Sequence, residues 1–383
     1  MRLGDVIEQI RGVSYKPSDL NDNLSDDSVV LLRANNIQDG KIVLDDVVYV
    51  SKSKVSESQF LRQGDILVCT SSGSKELVGK AAFIDEDLPM VFGAFCKVVR
   101  PNIECCKYMG YFFQSPYYRK HISEASAGAN INNLRNEHIA DLHFPLPSLE
   151  EQRKIVAVLD KVSDLIAKRR TQLDKLDELV KSRFIEMFGD PVTNSFNLPL
   201  SSLSQLGKFG RGVSKHRPRN APELLGGKYP LIQTGEVANS DLYILSYQNT
   251  YSELGFKQSK MWKAGTLCIT IAANIAKTAI LTFDACFPDS VVGFSANDKT
   301  NNIFIHYWFS FFQQILESQA PESAQKNINL QILSDLKIIV PPIELQNQFA
   351  DFVKQTDKSK LAIQKNLEKL EILKKSLMQK YFD

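Results

Sequence analysis

The sequence predicts an α+β protein with an internal pseudo-twofold repeat, in which two α+β domains are each followed by a long helix. Three observations support this prediction. Matching segments recur in the same order about 200 residues apart. Short β-rich runs bounded by Gly, Asp and Pro dominate the first part of each half. A heptad pattern fills the second part, and since long helices with one narrow apolar seam need a partner, we expect an antiparallel coiled coil.

The repeat is first visible in a four-residue match. The segment RGVS begins at Arg11 and again at Arg211, and upstream of it Leu3 falls on Leu203. The later matches are LLRANNI (31–37) on LIQTGEV (231–237), GDILV (64–68) on GTLCI (265–269) and FPLPSLEEQRKI (144–155) on IVPPIELQNQF (339–349). The order is kept while the spacing changes only between segments, as a duplicated unit requires.

The first part of each half, 1–147 and 189–341, is expected to be an α+β domain. The predicted strands are 41–50, 64–70 and 95–101. Helices are predicted near the end of each domain, at 108–122 and 303–316. The most apolar long segment, 265–281, contains Asn274 and Lys277. Its length and these polar residues favour buried strands with a turn over a membrane helix.

The second part of each half, 148–188 and 342–383, is predicted to be a long helix of roughly 38 residues, or about 57 Å. Ser148 is a good N-cap with Glu151 three residues later, and Gly189 ends the first helix.

Polar residues interrupt the seam. The second copy has Thr356, Lys360 and Lys374 where the first is apolar, and Arg169 interrupts the first copy. Two interpretations are open for these residues. The long side chains could reach out to solvent, or they could control helix register, because polar seam residues penalise wrong alignments.

Composition bounds the possible functions. The chain has 383 residues, of which 43% are apolar, enough for two or three domains. A net charge of +2 excludes a polycationic tail but allows local basic patches. The six cysteines form no CxxC pair and no ligand-like spacing with the five histidines, so we expect reduced thiols and a cytoplasmic protein. The charged N-terminus does not have the pattern of a signal peptide.

No catalytic motif stands out. Segment 73–81, GSKELVGKA, differs from a phosphate loop because five residues separate its glycines and Ala81 replaces the required Ser or Thr. The five histidines are scattered, and none lies beside a Ser or Cys nucleophile pattern. We therefore expect no catalytic residue, no metal site and no cofactor in this chain.

Polar and basic loops recur at matching places in both halves and have the side chains that contact DNA phosphates and base edges. Asn and Gln can pair with adenine, and Arg with guanine. The candidate DNA-binding residues are Arg11, Lys16, Ser71, Ser72, Ser74, Lys75, Asn130, Asn132, Asn133, Arg135, Arg211, Lys215, His216, Arg217, Arg219, Asn274, Lys277, Gln325, Lys326, Asn327 and Asn329. The alternative for each segment is a solvated loop or a helix cap.

Segment 144–169, FPLPSLEEQRKIVAVLDKVSDLIAKR, closely resembles the hallmark segment of type I restriction–modification specificity subunits, in which a Pro-Leu-Pro-x-Leu-Glu-Glu-Gln run opens a long helix. The resemblance covers essentially the whole chain. It implies the order target-recognition domain 1 (1–147), central spacer helix (148–188), target-recognition domain 2 (189–341) and C-terminal spacer helix (342–383). The second junction departs from the pattern, because Leu345 replaces the second Glu and no Ser caps the helix.

The resemblance implies that the chain recognises DNA and catalyses nothing. Each target-recognition domain would bind one half of a bipartite, asymmetric site on double-stranded DNA, with half-site centres roughly 10 bp apart. Two methyltransferase (modification) subunits would bring S-adenosylmethionine and flip out the target adenine. Restriction (motor) subunits would join with ATP and magnesium, and no membrane partner is implied.

Two other classes of function remain open. A coiled-coil scaffold that does not bind DNA would hold protein partners and leave the basic loops in solvent. A stand-alone nuclease or methyltransferase would be active without partner subunits. The recognised DNA sequence and its spacer length do not follow from the amino-acid sequence.

Overall fold

The computed structural model describes residues 1–21, 23–74, 76–125, 132–272, 274–319 and 328–383. Its contacts divide the chain into two units, Met1–Thr171 with Gln364–Asp383, and Gln172–Ile363. Each unit therefore contains an α+β domain together with part of both long helices. The four-segment division expected from the sequence stays a prediction.

The first unit combines short strands with short helices and one end of each long helix. Its strands are β1 (Ile7–Arg11), β2 (Leu20–Asn21), β3 (Ser28–Leu32), β4 (Ile37–Gln38), β5 (Lys41–Ile42), β6 (Val48–Ser51), β7 (Ile66–Cys69), β8 (Ser71–Ser72), β9 (Ala81–Phe83), β10 (Met90–Phe92), β11 (Cys96–Pro101) and β12 (Asn132–Asn133). Its helices are α1 (Cys106–Phe112), α2 (Pro116–Ala125), α3 (Asn136–Ala140) and the start of α4 (Leu149–Phe188). Two four-stranded sheets form, in the orders β1-β11-β7-β9 and β10-β3-β6-β2.

The second unit repeats this arrangement. Its strands are β13 (Leu200–Ser202), β14 (Gly207–Arg211), β15 (Leu225–Leu231), β16 (Tyr243–Ile244), β17 (Asn249–Tyr251), β18 (Met261–Trp262), β19 (Leu267–Thr270), β20 (Thr278–Leu281), β21 (Ala285–Cys286), β22 (Val291–Ala296) and β23 (Lys337–Ile339). Its helices are α5 (Leu203–Leu206), α6 (Thr234–Ala238), α7 (Glu253–Lys257), α8 (Asn302–Gln319), α9 (Leu330–Asp335) and the start of α10 (Ile343–Phe382).

The sheets of the two units share most of their strand order. The order β14-β22-β19-β20 matches β1-β11-β7-β9, with β16 added at the edge. In the second sheet, β15 pairs in parallel with β21, as β3 pairs in parallel with β10. The predicted α+β repeat is confirmed, and the apolar segment 265–281 forms the antiparallel strands β19 and β20, as expected. Among the described residues, no helix is both long and apolar enough to cross a membrane.

The RGVS segment recurs because its glycine lies where two pieces of backbone pass each other closely. A Cβ atom on Gly12 would lie 2.2 Å from the carbonyl oxygen of Gly93, and one on Gly212 would lie 2.1 Å from that of Phe287. The residue after each glycine donates its N–H to the same crossing segment, at 2.7 Å in the first unit and 3.1 Å in the second. No side chain fits at these crossings, so both copies need glycine.

Two predicted elements differ in the structure. Strand 41–50 is interrupted and becomes β5 and β6. Helix 108–122 is divided into α1 and α2 because Pro116 has no N–H to continue the first helix, and the hydroxyl of buried Ser115 accepts the N–H of Tyr118 at 3.2 Å instead.

The two long helices pack antiparallel within each unit. In the first unit Arg170 bonds Glu371 at 3.0 Å, and in the second unit Lys360 pairs with Asp177. Higher residue numbers on one helix thus lie against lower numbers on the other, which confirms the predicted antiparallel coiled coil. The Ser148 hydroxyl accepts the N–H of Glu151 at 3.3 Å, as its expected capping role requires.

The C-terminal residue of each long helix closes an aromatic core. In the first unit the ring of Phe382 packs on Tyr108 and Phe112, with centroids 5.1 and 5.9 Å apart. In the second unit Phe188 packs on Phe304 at 5.1 Å. Each such aromatic pair contributes about 0.5–1.5 kcal/mol beyond the buried area.

Two of the polar seam residues, Thr356 and Lys360, are buried and bonded, and do not reach solvent. The side chain of Lys360 is only 9% exposed and pairs with Asp177, so the interpretation that it extends into water is wrong. The hydroxyl of buried Thr356 donates to the carbonyl of Phe352 at 3.0 Å. Burial lowers the pKa of Lys374, and nearby Arg170 lowers it further. Register control by these residues stays a prediction.

Replacing Gly212 by Ala is expected to lower the free energy of unfolding of the second unit by about 1–3 kcal/mol, because the methyl group overpacks the backbone crossing. Gly235→Ala is the matched control, since nothing lies within 4 Å of its added Cβ. Both tryptophans of the chain, Trp262 and Trp308, belong to this unit, so urea titration followed by tryptophan fluorescence measures it alone. Equal urea midpoints for the two variants would contradict the crossing argument.

Replacing Asp177 by Ala is expected to destabilise the second unit by about 1–3 kcal/mol, because the Lys360 ammonium group stays buried without its carboxylate. Lys360→Met removes the charge together with the pair, so its effect should be under about 1 kcal/mol. The double variant should match Lys360→Met. The same fluorescence titration measures all three variants, and a loss in Lys360→Met as large as in Asp177→Ala would refute this account.

Candidate nucleic-acid interface

A cavity of about 450 Å³ opens on the first unit between Tyr15, which directly follows the RGVS segment, the turn after β3, strand β8 and the segment that joins β10 to β11. Its walls are formed by Tyr15, Arg33, Ala34, Asn35, Ser71, Ser72, Gly73, Gly93, Ala94, Phe95 and Cys96. The predicted residues Ser71 and Ser72 are therefore brought together with an arginine, an asparagine and two aromatic rings. Phe95 is 67% exposed and presents a large apolar surface to solvent.

Asp46 orients two polar side chains of this cavity. One carboxylate oxygen, Oδ1, lies 2.8 Å from Nη2 of Arg33, and the other accepts the Asn35 amide at 2.7 Å. The Asn36 side chain holds the turn itself, since it accepts the N–H of Arg33 at 2.8 Å and donates to two backbone carbonyls. The side chains of Arg33 and Asn35 are thus oriented before any ligand binds.

Strand β12 brings further predicted residues to β8. Asn132 lies opposite Ser72 and Asn133 opposite Ser71 in an antiparallel pair. Ser74 is exposed and donates its N–H to the Ser72 hydroxyl at 3.2 Å. Arg135 is exposed and directly precedes α3.

In the second unit, carboxylates partly neutralise the basic segment 211–220. Asp289 pairs with Arg219 and, at 3.4 Å, with Arg217. His216 lies 3.6 Å from Glu223. The predicted basic patch is real, but part of its charge is balanced within the same unit.

Other predicted cations are free to meet an anion. Within the described part of the chain, the side chains of Arg11, Arg211 and Lys215 are exposed and make no ion pair or hydrogen bond. Lys16 is also exposed, and Lys277 is half-buried without an ion pair to any described residue. The backbone N–H of Lys215 donates to Gln258 at 2.5 Å, which fixes the start of the loop.

Two predicted asparagines have different environments. Asn274 is exposed in the loop between β19 and β20. The side-chain oxygen of Asn329 accepts the N–H of Ile332 at 2.8 Å and caps α9, which supports the helix-cap alternative for this residue. Outside the described residues lie the predicted candidates Lys75, Asn130, Gln325, Lys326 and Asn327.

The cavity has the groups for binding and lacks an activated nucleophile. Burial raises the pKa of the Cys96 thiol, and the neighbouring Cys69 raises it further, so this sulfur is protonated at neutral pH. Among the described residues, no group of three or more His, Cys, Asp or Glu side chains could hold a metal ion. The cavity residues can form hydrogen bonds, stack through their aromatic rings and attract an anion.

Sequence reasoning missed Arg33, Asn35 and Phe95 in the first unit, and Gln233 and Asp289 in the second. The alignment of 31–37 with 231–237 could have indicated Arg33, Asn35 and Gln233. In it the apolar residues agree, whereas positions 33 and 35 differ from 233 and 235. Phe95 gave no signal, because nothing in a strand-like apolar run shows that one ring faces solvent.

Known proteins share this organisation. A family model described as "Type I restriction modification DNA specificity domain" matches residues 1–178 and 201–373. The chain belongs to this family. Its two matches coincide with the two halves of the internal repeat, so each half of this family member is one copy of the specificity domain.

Two curated relatives are specificity subunits. The specificity subunit of type I restriction enzyme StySPI from Salmonella potsdam is 40% identical over 180 residues, which are 47% of this chain and 39% of that protein. The specificity subunit of EcoKI from Escherichia coli is 38% identical over 180 residues, with the same two shares. The chain thus matches about two fifths of the length of these relatives. Their names agree with the resemblance to specificity subunits of type I restriction enzymes.

A solved structure shares the fold over the whole chain. It comes from a study of complex assembly and conformational transition of the type I restriction–modification system. The TM-score is 0.59 at 18% identity, and the likeness covers 100% of this chain and 96% of that one. At this identity the likeness bears on the fold alone, and it agrees with the predicted pair of α+β domains on long helices.

Proposed function

We propose that the chain is the DNA sequence-recognition subunit of a type I restriction–modification complex, and that each α+β domain binds one half of a bipartite, asymmetric site on double-stranded DNA. One observation supports this function most directly. The cavity of the first unit gathers arginine, asparagine, serine and aromatic side chains, which are types that contact phosphates and bases. Membership of the specificity-domain family is consistent with it.

The divergence of the two units supports an asymmetric target. Ser71 follows strand β7 where Ala272 follows β19, and the RGVS segment continues with Tyr15 in one copy and Lys215 in the other. The backbone hydrogen bonds at these places correspond. The N–H of Thr70 donates to the carbonyl of Phe95 at 2.9 Å, and the N–H of Ile271 donates to the carbonyl of Ser290 at 3.0 Å. Equivalent backbones with different polar surfaces suit two different half-sites.

Methyltransferase subunits, two per chain, and restriction subunits joined through the complex are the proposed partners. Exposed apolar side chains on the long helices support a protein interface there. Val158 and Leu165 lie one heptad apart on α4 and are 40% and 37% exposed. On α10, Ile372 is 69% exposed and Leu373 46%. The heptad spacing of Val158 and Leu165 places them on one face of α4, and an exposed apolar helix face is typical of helix-to-partner contacts.

Removing basic side chains from the 211–219 segment is expected to weaken DNA binding. The loss should be larger for side chains that form no ion pair with a carboxylate of the chain. Arg211→Ala with Lys215→Ala removes two unpaired cations and should lower affinity about tenfold or more and the salt slope by about 2. Arg217→Ala with Arg219→Ala should cost less, because phosphates must compete there with Asp289. Fluorescence anisotropy of a labelled duplex at several salt concentrations measures both effects.

Asp289→Asn is the matched control for this series. It frees Arg217 and Arg219, so affinity should rise, most strongly at low salt. Unchanged binding after loss of Arg211 and Lys215 would count against this loop as a DNA contact. Such a result would favour the scaffold alternative.

Adenine-methylation mapping by long-read sequencing tests the function as a whole. Cells that express this chain with its methyltransferase subunit should methylate a split motif with a fixed gap. The motif should vanish when this chain is omitted, because the methyltransferase then lacks its recognition subunit. A complex that forms but methylates no split motif would refute the proposal.

A further inference from the structure

Residues 33 and 233 occupy the same place in the two units. Each comes just after a strand that pairs in parallel with an equivalent neighbour, β3 with β10 and β15 with β21. The N–H of Arg33 donates to the Asn36 side chain at 2.8 Å, and the N–H of Gln233 donates to the Glu236 side chain at 3.1 Å. In both units a side-chain oxygen three residues later thus accepts this backbone N–H, although the accepting residue differs.

The flanking residues show that the buried anchors of this turn are kept while its polar surface has changed. Leu32 and Ile232 precede the position and are fully buried. Ile37 and Val237 follow it and are also buried. Between these anchors, a charged arginine in one unit stands where the other has an exposed neutral glutamine.

We propose that this position reads one base pair in each half-site, with Arg33 contacting a guanine and Gln233 an adenine. The inference rests on the proposed DNA-recognition function and names two residues that determine its specificity. The arginine fork matches the N7 and O6 acceptors of guanine in the major groove. The glutamine amide matches the N7 acceptor and N6 donor of adenine.

The arginine is already oriented for such a contact. Its Nη2 is held by Asp46 at 2.8 Å, and the side chain is 34% exposed. Within the described part of the chain, its buried Nε has no acceptor and Nη1 makes no hydrogen bond. A guanidinium held on one side with donors unused elsewhere loses little further freedom on binding, which favours affinity and orientation.

A phosphate contact explains the pair of residues less well. Phosphate positions need positive charge whatever the base sequence, so both units should keep a cation there. Gln233 is neutral. A purely structural role is also disfavoured, because the side chain of Gln233 is exposed and the backbone bonds that hold the turn do not depend on it.

Methylation mapping of matched variants tests the proposal in the assembled complex. Arg33→Gln should change the preferred base at one position of one half-site, from guanine towards adenine, and leave the gap and the other half-site unchanged. Gln233→Arg should make the reverse change in the other half-site. The expected shift in preference is about tenfold to hundredfold. Lys16→Gln removes one exposed positive charge of the same unit and should lower methylation at all sites without altering the motif.

A second measurement covers variants too weak to methylate in cells. Purified complexes containing Arg33→Gln or Arg33→Lys select bound duplexes from a pool with randomised half-sites. Loss of guanine preference at a single position supports the proposal, since lysine keeps the charge but lacks the fork. The wild-type consensus in both variants, or a uniform loss without any change of consensus, overturns it. A split motif for the wild-type chain in the same experiment keeps the proposed function intact, so the two failures are distinguishable.

Discussion

The rest of the structure depends on the antiparallel pairing of α4 and α10. Neither α+β domain has a complete core without these helices, because Phe382 completes the aromatic cluster of the first unit and Phe188 that of the second. Residues near the start of the opposite helix join the same cores, Ile155 in one unit and Phe349 in the other. One packing arrangement is therefore built twice, and each unit needs segments from distant parts of the chain. Because residues of both helices complete the two cores, the helices are part of the domains that they connect.

Backbone geometry is kept between the two copies, whereas polar surface is not. Gly12 and Gly212 are held by the same steric limit, and the turns after β3 and β15 are held by side-chain acceptors of different chemistry, Asn36 and Glu236. Even the core has diverged at one place. Buried Lys97 bonds Gln9 at 2.9 Å in the first unit, where the equivalent of the lysine in the second is the apolar Val292. The repeat thus constrains how the chain folds far more than what its surface contacts.

The sequence was sufficient for the periodic features. Heptad spacing in 149–188 and 343–382, the Ser148 cap and the matched strands all follow from local chemistry, which acts over a few residues. The site was harder, because its residues converge from segments far apart in the chain. Serines 71 and 72 could be found from their place after a strand, but the role of Asp46 depends on β5 and β6 being separate strands, and 41–50 reads as one continuous run. Asn329 shows a second difficulty, since its side-chain oxygen caps α9 and the sequence alone did not decide between a helix cap and a DNA contact.

The carboxylates beside the cations explain how a nearly neutral chain can suit DNA recognition. Asp46 pairs with Arg33, and Asp289 pairs with Arg217 and Arg219. A phosphate anywhere on a duplex must compete with these carboxylates, so they weaken binding that does not depend on sequence. A base edge that matches a pre-oriented donor set gives directional hydrogen bonds that a phosphate in the wrong place does not. Because specificity is the ratio of these two affinities, lowering the nonspecific one raises it as effectively as adding contacts to the correct site. On this argument these carboxylates balance part of the positive charge at the proposed interface, and more positive charge there would reduce discrimination.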